Sequence, residues 1–221
     1  MNTLTKNFLT KNDITYRELK NRIIAGTIKP GDRINISHFA EQFGVSIIPV
    51  REAIKRLQQE GLVKIVPHAG PQVVRFDNKK FCEIADIRNV LEPFAAKLAT
   101  GRLGIAEIEE LEAMVSEMNR ASKNMDIERY STLNTMFHSF IYDRCGNSIL
   151  LATINSLWEK SRLSKDVFFI DPDRIHNSTI EHMECLNALK SRDPDLVQEM
   201  FSLHKKNGFL VVKHALGVEN Y

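Results

Sequence analysis

The 221-residue sequence predicts a mainly α-helical protein in two parts, a winged helix-turn-helix followed by an all-α helical bundle. Three observations carry that prediction. Two short stretches of helical periodicity meet at a turn containing Gly44. Two β-rich runs follow between Leu62 and Phe76. Beyond Asp77 only segments with apolar residues three and four apart appear.

Taken in order, residues 1–13 read as an N-terminal extension. The segment 14–25 carries Leu19, Ile23 and Ile24 at helical spacing, and Gly26 with Lys29-Pro30-Gly31 ends it. Ser37 is expected to cap a short helix running to Phe43, with Phe39, Ala40 and Phe43 on one face and Gly44 as terminator. Ser46 is expected to cap the next helix. Pro49 falls in its first turn, where a missing N–H goes unused, and Val50, Ala53, Ile54 and Leu57 form an inward stripe as far as Gly61. Residues 62–66 and 72–76 then read as a hairpin around Pro67-His68-Ala69-Gly70-Pro71, the wing. This places a winged unit at 14–76, with the boundary near 75–79. Residues 77–221 form a second unit of about six helices, at 81–99, 105–121, 126–144, 148–168, 173–190 and 193–214.

A hydrophobic fraction of 43% suffices for buried cores. The opening MNTLTKNFLTKN lacks a signal-peptide apolar run, and no later stretch approaches the roughly 18 unbroken apolar residues of a membrane helix. A cytoplasmic protein with no membrane partner is expected. Cys82, Cys145 and Cys185 are odd in number and widely spaced, which fits buried thiols rather than a disulfide framework or zinc ribbon. The net charge of +2 conceals an asymmetry: residues 1–75 hold 12 Lys and Arg against 6 Asp and Glu, and the remainder is net acidic. A basic front segment suits a polyanion-binding module joined to a module with another task.

A helix entering a DNA major groove turns polar and cationic side chains outward while its other face packs into the domain. The second helix of the helix-turn-helix has that pattern in Arg51, Lys55, Arg56 and Gln58. Arg51, in its first turn, is best placed for bases or phosphates. Ser46 can offer its hydroxyl and N–H to a phosphate. His68 and Gly70 sit at the wing tip, where a small turn fits the minor groove. For Lys55 and Arg56 a solvated helix face explains the same pattern. The stretches IIAGTIKPGDRI, FAEQFGVSIIPVREAIKRLQQEGLV and PHAG, within residues 14–75, resemble the GntR family of bacterial regulators. The resemblance implies double-stranded operator DNA as partner, with Ser37, Ser46, Arg51, Lys55, Arg56, His68 and Gly70 as candidate contacts. It also implies a symmetric homodimer reading two half-sites. One departure stands out: the family usually has Arg then Thr where this chain has Ile47 and Ile48, so a contacting cation is absent there.

In the second unit, His138, His182 and His204 lie on three different predicted helices, each on an apolar stripe. A single inward imidazole is ordinarily a hydrogen-bonded core residue. Three entering one core are costly unless paired or coordinated. Neutral imidazoles suit Zn²⁺, Ni²⁺ and similar divalent ions, and an Asn carbonyl or a water can complete the set.

IRNVLEPFAAKLA, NTMFH with GN after it, and EHMECLNALKSRDPDLVQEMFSLH, spanning about residues 81–204, resemble the FCD ligand-binding domain of the FadR-like subgroup of the same family. That resemblance implies a divalent metal on Asn134, His138, His182 and His204, with Asn134 standing where an acidic residue is common. It also implies that Arg88 faces an effector cavity. A guanidinium fork there matches a small carboxylate effector, while an ion pair with Glu92, one helical turn on, accounts for Arg88 equally well. Trp158, Tyr142 and Phe168 are candidates for lining the pocket or for plain core. Two other readings remain at this point. A metal-dependent hydrolase lacks an HExxH motif and an acidic partner beside His138. A helical interaction module would need no metal.

Overall fold

The computed structural model describes residues 10–24, 26–74, 78–161 and 167–215. The chain divides into two compact units, Met1–Phe76 and Asp77–Tyr221.

In the first unit, α1 (Lys11–Ile24) begins earlier than its apolar periodicity suggests. Thr10 and Asp13 cap it reciprocally: the Thr10 N–H donates to the Asp13 carboxylate, and the Asp13 N–H donates to Thr10 Oγ1. Residues 11–13 therefore belong to the helix rather than to an extension. The second helix, α2 (Ile36–Gln42), is capped by Asn35, whose Oδ1 accepts the His38 N–H at 3.1 Å. Ser37, expected as the cap, lies instead inside the first turn and is exposed. Asn35 takes the role because its own backbone is extended (φ −81°, ψ 107°), as a cap requires.

The third helix, α3 (Ile47–Gln59), starts as expected, with Ser46 at the cap position and Pro49 buried in the first turn. Val50, Ala53, Ile54 and Leu57 are buried in one core with Leu19 and Ile23 of α1 and with Phe39 and Ala40 of α2. The Val, Ile, Leu and Phe side chains among them each stabilise the fold by about 1.5–3 kcal/mol through removal from water, the alanines by less. Polar contacts also join α1 to the end of α3. Tyr16 donates to Glu60 Oε1 at 2.5 Å, and Lys20 Nζ lies 3.0 Å from Glu60 Oε2.

The wing is an antiparallel hairpin of β1 (Val63–Val66) and β2 (Gly70–Val73), with Val63 opposite Val73 and Val66 opposite Gly70. Its second strand starts two residues before the expected 72, because Pro67, His68 and Ala69 alone make the turn. The Ala69 N–H reaches Val66 O at 3.1 Å, and His68 takes a left-handed φ of 61°. Gly70 follows at φ 82°, a value that only glycine adopts without strain. On its other side β2 meets residues 32–34: Val73 N–H donates to Asp32 O, and Ile34 N–H to Pro71 O.

The second unit is helical: α4 (Asn78–Thr100), α5 (Ile105–Lys123), α6 (Ile127–Tyr142), α7 (Ser148–Lys160), α8 (Val167–Ile170), α9 (Arg174–Ser191) and α10 (Pro194–Ala215). The single helix expected over 148–168 is thus two, α7 and α8, giving seven helices among the described residues. The remaining spans match their periodicity to within a few residues. Caps fix α6 and α7, where Asp126 and Asn147 each accept the N–H of the residue three positions on. Phe137, Tyr130, Tyr142, Leu111, Met118 and Phe201 are among the large side chains wholly enclosed. Cys82, Cys145 and Cys185 are buried free thiols, as read from the sequence. Among the described residues no helix is long and apolar enough to cross a membrane.

Candidate functional site

Packing the stripe of α3 inward leaves Arg51, Lys55 and Gln58 exposed on the opposite face. Neither the Arg51 nor the Lys55 side chain has a hydrogen bond or ion pair within the described residues. Arg56 differs. Its guanidinium lies 3.8 Å above the Tyr16 ring and 3.0 Å from Asp13 Oδ1, so its charge is engaged inside the unit. Ser46 is exposed, and its hydroxyl makes no capping bond. Ile47 and Ile48 are exposed at 42% and 69%, which leaves an apolar spot at the start of α3. His68 is exposed at the wing tip; Gly70 opens β2, and a Cβ added there would come within 3.8 Å of the Arg33 guanidinium. Arg33 was not among the sequence candidates, since nothing in its local pattern ties it to the wing.

In the second unit, α6, α9 and α10 bring His138, His182 and His204 together, all buried. One ligating nitrogen from each lies within 4.8 Å of the others. Their neighbours fix the tautomers. His182 Nδ1 is 2.6 Å from Ser178 O and His204 Nδ1 is 2.7 Å from Glu181 Oε2, so both nitrogens carry the proton. The Tyr142 hydroxyl donates to Glu92 Oε2 and therefore accepts from His138 Nδ1, at 3.1 Å. All three Nε2 atoms are left as lone pairs. Those of His138 and His204 stand 3.1 Å apart, and that of His182 is buried without a partner. Three inward lone pairs, one orphaned, fit a cation better than they fit one another. Burial is the main cause holding all three imidazoles below their usual pKa; neighbouring cationic groups add to it at His138 and His182, whereas the Glu181 carboxylate partly offsets it at His204. Neutral rings are the metal-binding form. The residues present therefore fit a divalent ion.

Asn134, one turn before His138, is half-buried and lines a cavity that His138, His204, Arg88, Asn89, Lys205 and Phe209 also border. The cavity holds about 70 Å³. Arg88 lines it, and also pairs with Glu92: its Nε is 2.5 Å from Glu92 Oε1, and an η nitrogen donates to Ser161 Oγ at 2.7 Å. Glu92 is wholly buried and additionally accepts from Tyr142, Trp158 Nε1 at 2.8 Å and Lys205 at 2.6 Å. Burial alone would raise its carboxyl pKa, but Arg88 and Lys205 outweigh that and hold it down at about 2. Trp158 and Tyr142 thus serve this network, while Phe168 lines the cavity.

Sequence reasoning missed Arg174, Glu181 and Lys205. Glu181 accepts from both Arg174 and His204, and Asn207 donates to its other oxygen at 2.8 Å. A signal existed: Arg174 and Glu181 are two helical turns apart on the face of α9 that carries His182.

Two family models match the chain. The bacterial regulatory proteins of the gntR family match over residues 12–73, and the FCD domain matches over residues 83–207. Among curated proteins, the chain is 30% identical over 180 residues to the HTH-type transcriptional regulator McbR of Escherichia coli K12, covering 80% of this chain and 81% of McbR. It is 31% identical over 202 residues to the gluconate operon transcriptional repressor of Bacillus licheniformis, covering 85% and 78%. Among solved structures, E. coli McbR/YncC superposes with a TM-score of 0.62 at 26% identity, covering 94% of this chain and 99% of that one. The relatives are transcriptional regulators rather than enzymes, and the hydrolase reading of the three histidines falls with that. The winged first unit and helical second unit are therefore the two parts of a DNA-binding transcriptional regulator, and the chain belongs to the GntR family with an FCD domain.

Proposed function

We propose that this regulator reads operator DNA through α3 and that a small carboxylate effector, bound beside a divalent metal in the helical unit, controls its affinity. The observation that carries the reading is the division of α3, whose apolar stripe is buried while Arg51 and Lys55 stand exposed without internal partners. In this reading Arg51 and Lys55 enter the major groove. Ser46 and the N–H groups at the start of α3 hold a phosphate, with Ser37 and Arg56 at the flanks. His68 and Gly70 bring the wing to the minor groove. Arg56, paired with Asp13, contributes less than its formal charge suggests.

His138, His182 and His204 would hold the metal, with Asn134 as a neutral oxygen ligand. Such an ion supplies a positive charge toward which an anionic effector can orient. Arg88 and Asn89 form part of the effector wall. Since Asn134 brings no negative charge, the same regulator working without metal is the second reading. A cytoplasmic homodimer is part of the proposal, because palindromic half-sites need two wings.

The test is gel retardation of the DNA upstream of the protein's own gene, combined with metal analysis of the purified chain. Specific retardation that weakens as salt rises, with Zn²⁺ or Ni²⁺ bound near one per chain, is the expected result. No retardation at low salt would overturn the DNA reading. A metal-free chain whose melting temperature ignores both ions would leave the second reading in place.

A further inference from the structure

Arg174, at the start of α9, is 4% exposed and borders the same cavity. One of its terminal nitrogens donates to Glu181 Oε2; the other, Nη1, is buried with no hydrogen-bond partner. Leaving a guanidinium N–H unpaired in the interior carries a desolvation penalty that a ligand oxygen there would offset. Arg88, by contrast, is committed to Glu92 and Ser161.

We propose that Arg174, not Arg88, is the anion anchor of the cavity, and that its ligand is a small organic acid whose carboxylate accepts from Arg174 Nη1. This rests on the reading of the cavity as an effector site. Three features set the ligand class. The unfilled donor is cationic and planar, which favours a carboxylate oxygen over a neutral acceptor. Ser178, Asn134, His138 and His204 on the same wall offer polar partners, while Phe81 and Phe209 supply apolar surface. The cavity of about 70 Å³ is smaller than the ~150 Å³ engineered void that holds benzene, so the acid has only a few heavy atoms.

The shared Glu181 oxygen gives the anchor a consequence. Arg174 and His204 both donate to Oε2. An anion that draws the Arg174 guanidinium toward itself loosens its hold on Glu181 and shifts the balance of that carboxylate toward His204. Arg174 is thereby a ligand anchor and also positions one histidine of the cluster.

Calorimetric titration of the full chain with acetate, glycolate, lactate and pyruvate, each beside its uncharged amide or alcohol, tests the proposal, with Arg174→Gln and Arg174→Lys as variants. The visible spectrum of added Co²⁺ reports independently on the histidine cluster. At least one acid should bind the wild-type chain and its amide should not. Arg174→Gln should weaken that acid about ten-fold or more. Arg174→Lys, which keeps the charge but loses the planar fork, should fall between. The Co²⁺ bands should persist in both variants with an altered envelope, as expected when a ligand's hydrogen-bonded neighbour changes. Equal affinity of wild type and both variants for the acid would overturn the anchor while sparing the effector site. Equal binding of acid and amide would overturn the anion specificity. If no acid binds the wild-type chain, the effector reading fails and takes the anchor with it.

Discussion

Four side chains donate to the Glu92 carboxylate, and removing its charge takes the anionic partner from the buried Arg88 and the half-buried Lys205. Glu92→Gln should therefore destabilise the helical unit by about 3–5 kcal/mol in chemical denaturation, the range for breaking a buried ion pair from one side. The pH dependence has a definite sign. The folded-state carboxyl titrates at about 2 against an ordinary 4.5, so its contribution is complete above about pH 5 and disappears as pH falls toward 2. The wild-type chain should lose more stability across that window than Glu92→Gln does. The histidines allow a separate expectation. Zn²⁺ at about 100 times its Kd should stabilise the wild-type chain by about 2.7 kcal/mol, and His182→Ala should abolish the effect in a thermal melt. At this scale the sequence showed the three histidines, the exposure of Arg51 and Lys55, and the Arg88–Glu92 alternative. The other donors to Glu92 were hidden, because Trp158 and Lys205 reach it from distant helices and no spacing rule relates them. Asn35 took the cap from Ser37 for a local reason: both are good capping residues, and backbone conformation chose between them.

At the scale of elements, α3 was legible from end to end because cap, stripe and glycine stop agree. Its unusual opening residues yield a prediction. Ile47 is exposed at the start of a helix proposed to face phosphate, so Ile47→Arg should tighten operator and non-operator DNA alike and steepen the salt dependence by about one counterion, read by fluorescence anisotropy across a salt series. Unchanged affinity would place the first turn of α3 away from DNA. The division of α7 from α8 was not legible. Residues 148–168 contain no Gly or Pro to mark a break, yet Ser161 leaves helical geometry at φ −113°, ψ 54° and its hydroxyl accepts from Arg88. A tertiary contact, not a local breaker, accompanies that stop. The wing was legible as a hairpin, but its turn was read too long because His68 supplies a left-handed residue where sequence rules look to glycine.

The two-part character of the whole molecule was visible in its charge, since the basic excess lies in residues 1–75. How copies of the chain associate was not visible. On α4, Ile87, Val90 and Phe94 are exposed at 48%, 67% and 39% and recur at helical spacing, a stripe suited to self-association. If the proposed homodimer forms through this stripe, Val90→Glu should shift the chain toward monomer in sedimentation and weaken operator binding with it. The central claim, that α3 reads DNA with Arg51 foremost, is tested most directly by anisotropy titration of the wild-type and Arg51→Ala chains onto DNA upstream of the gene. A loss of about 1–3 kcal/mol in Arg51→Ala, with the fold intact by circular dichroism, is the predicted result. Equal affinity of the two chains at every salt concentration would contradict it.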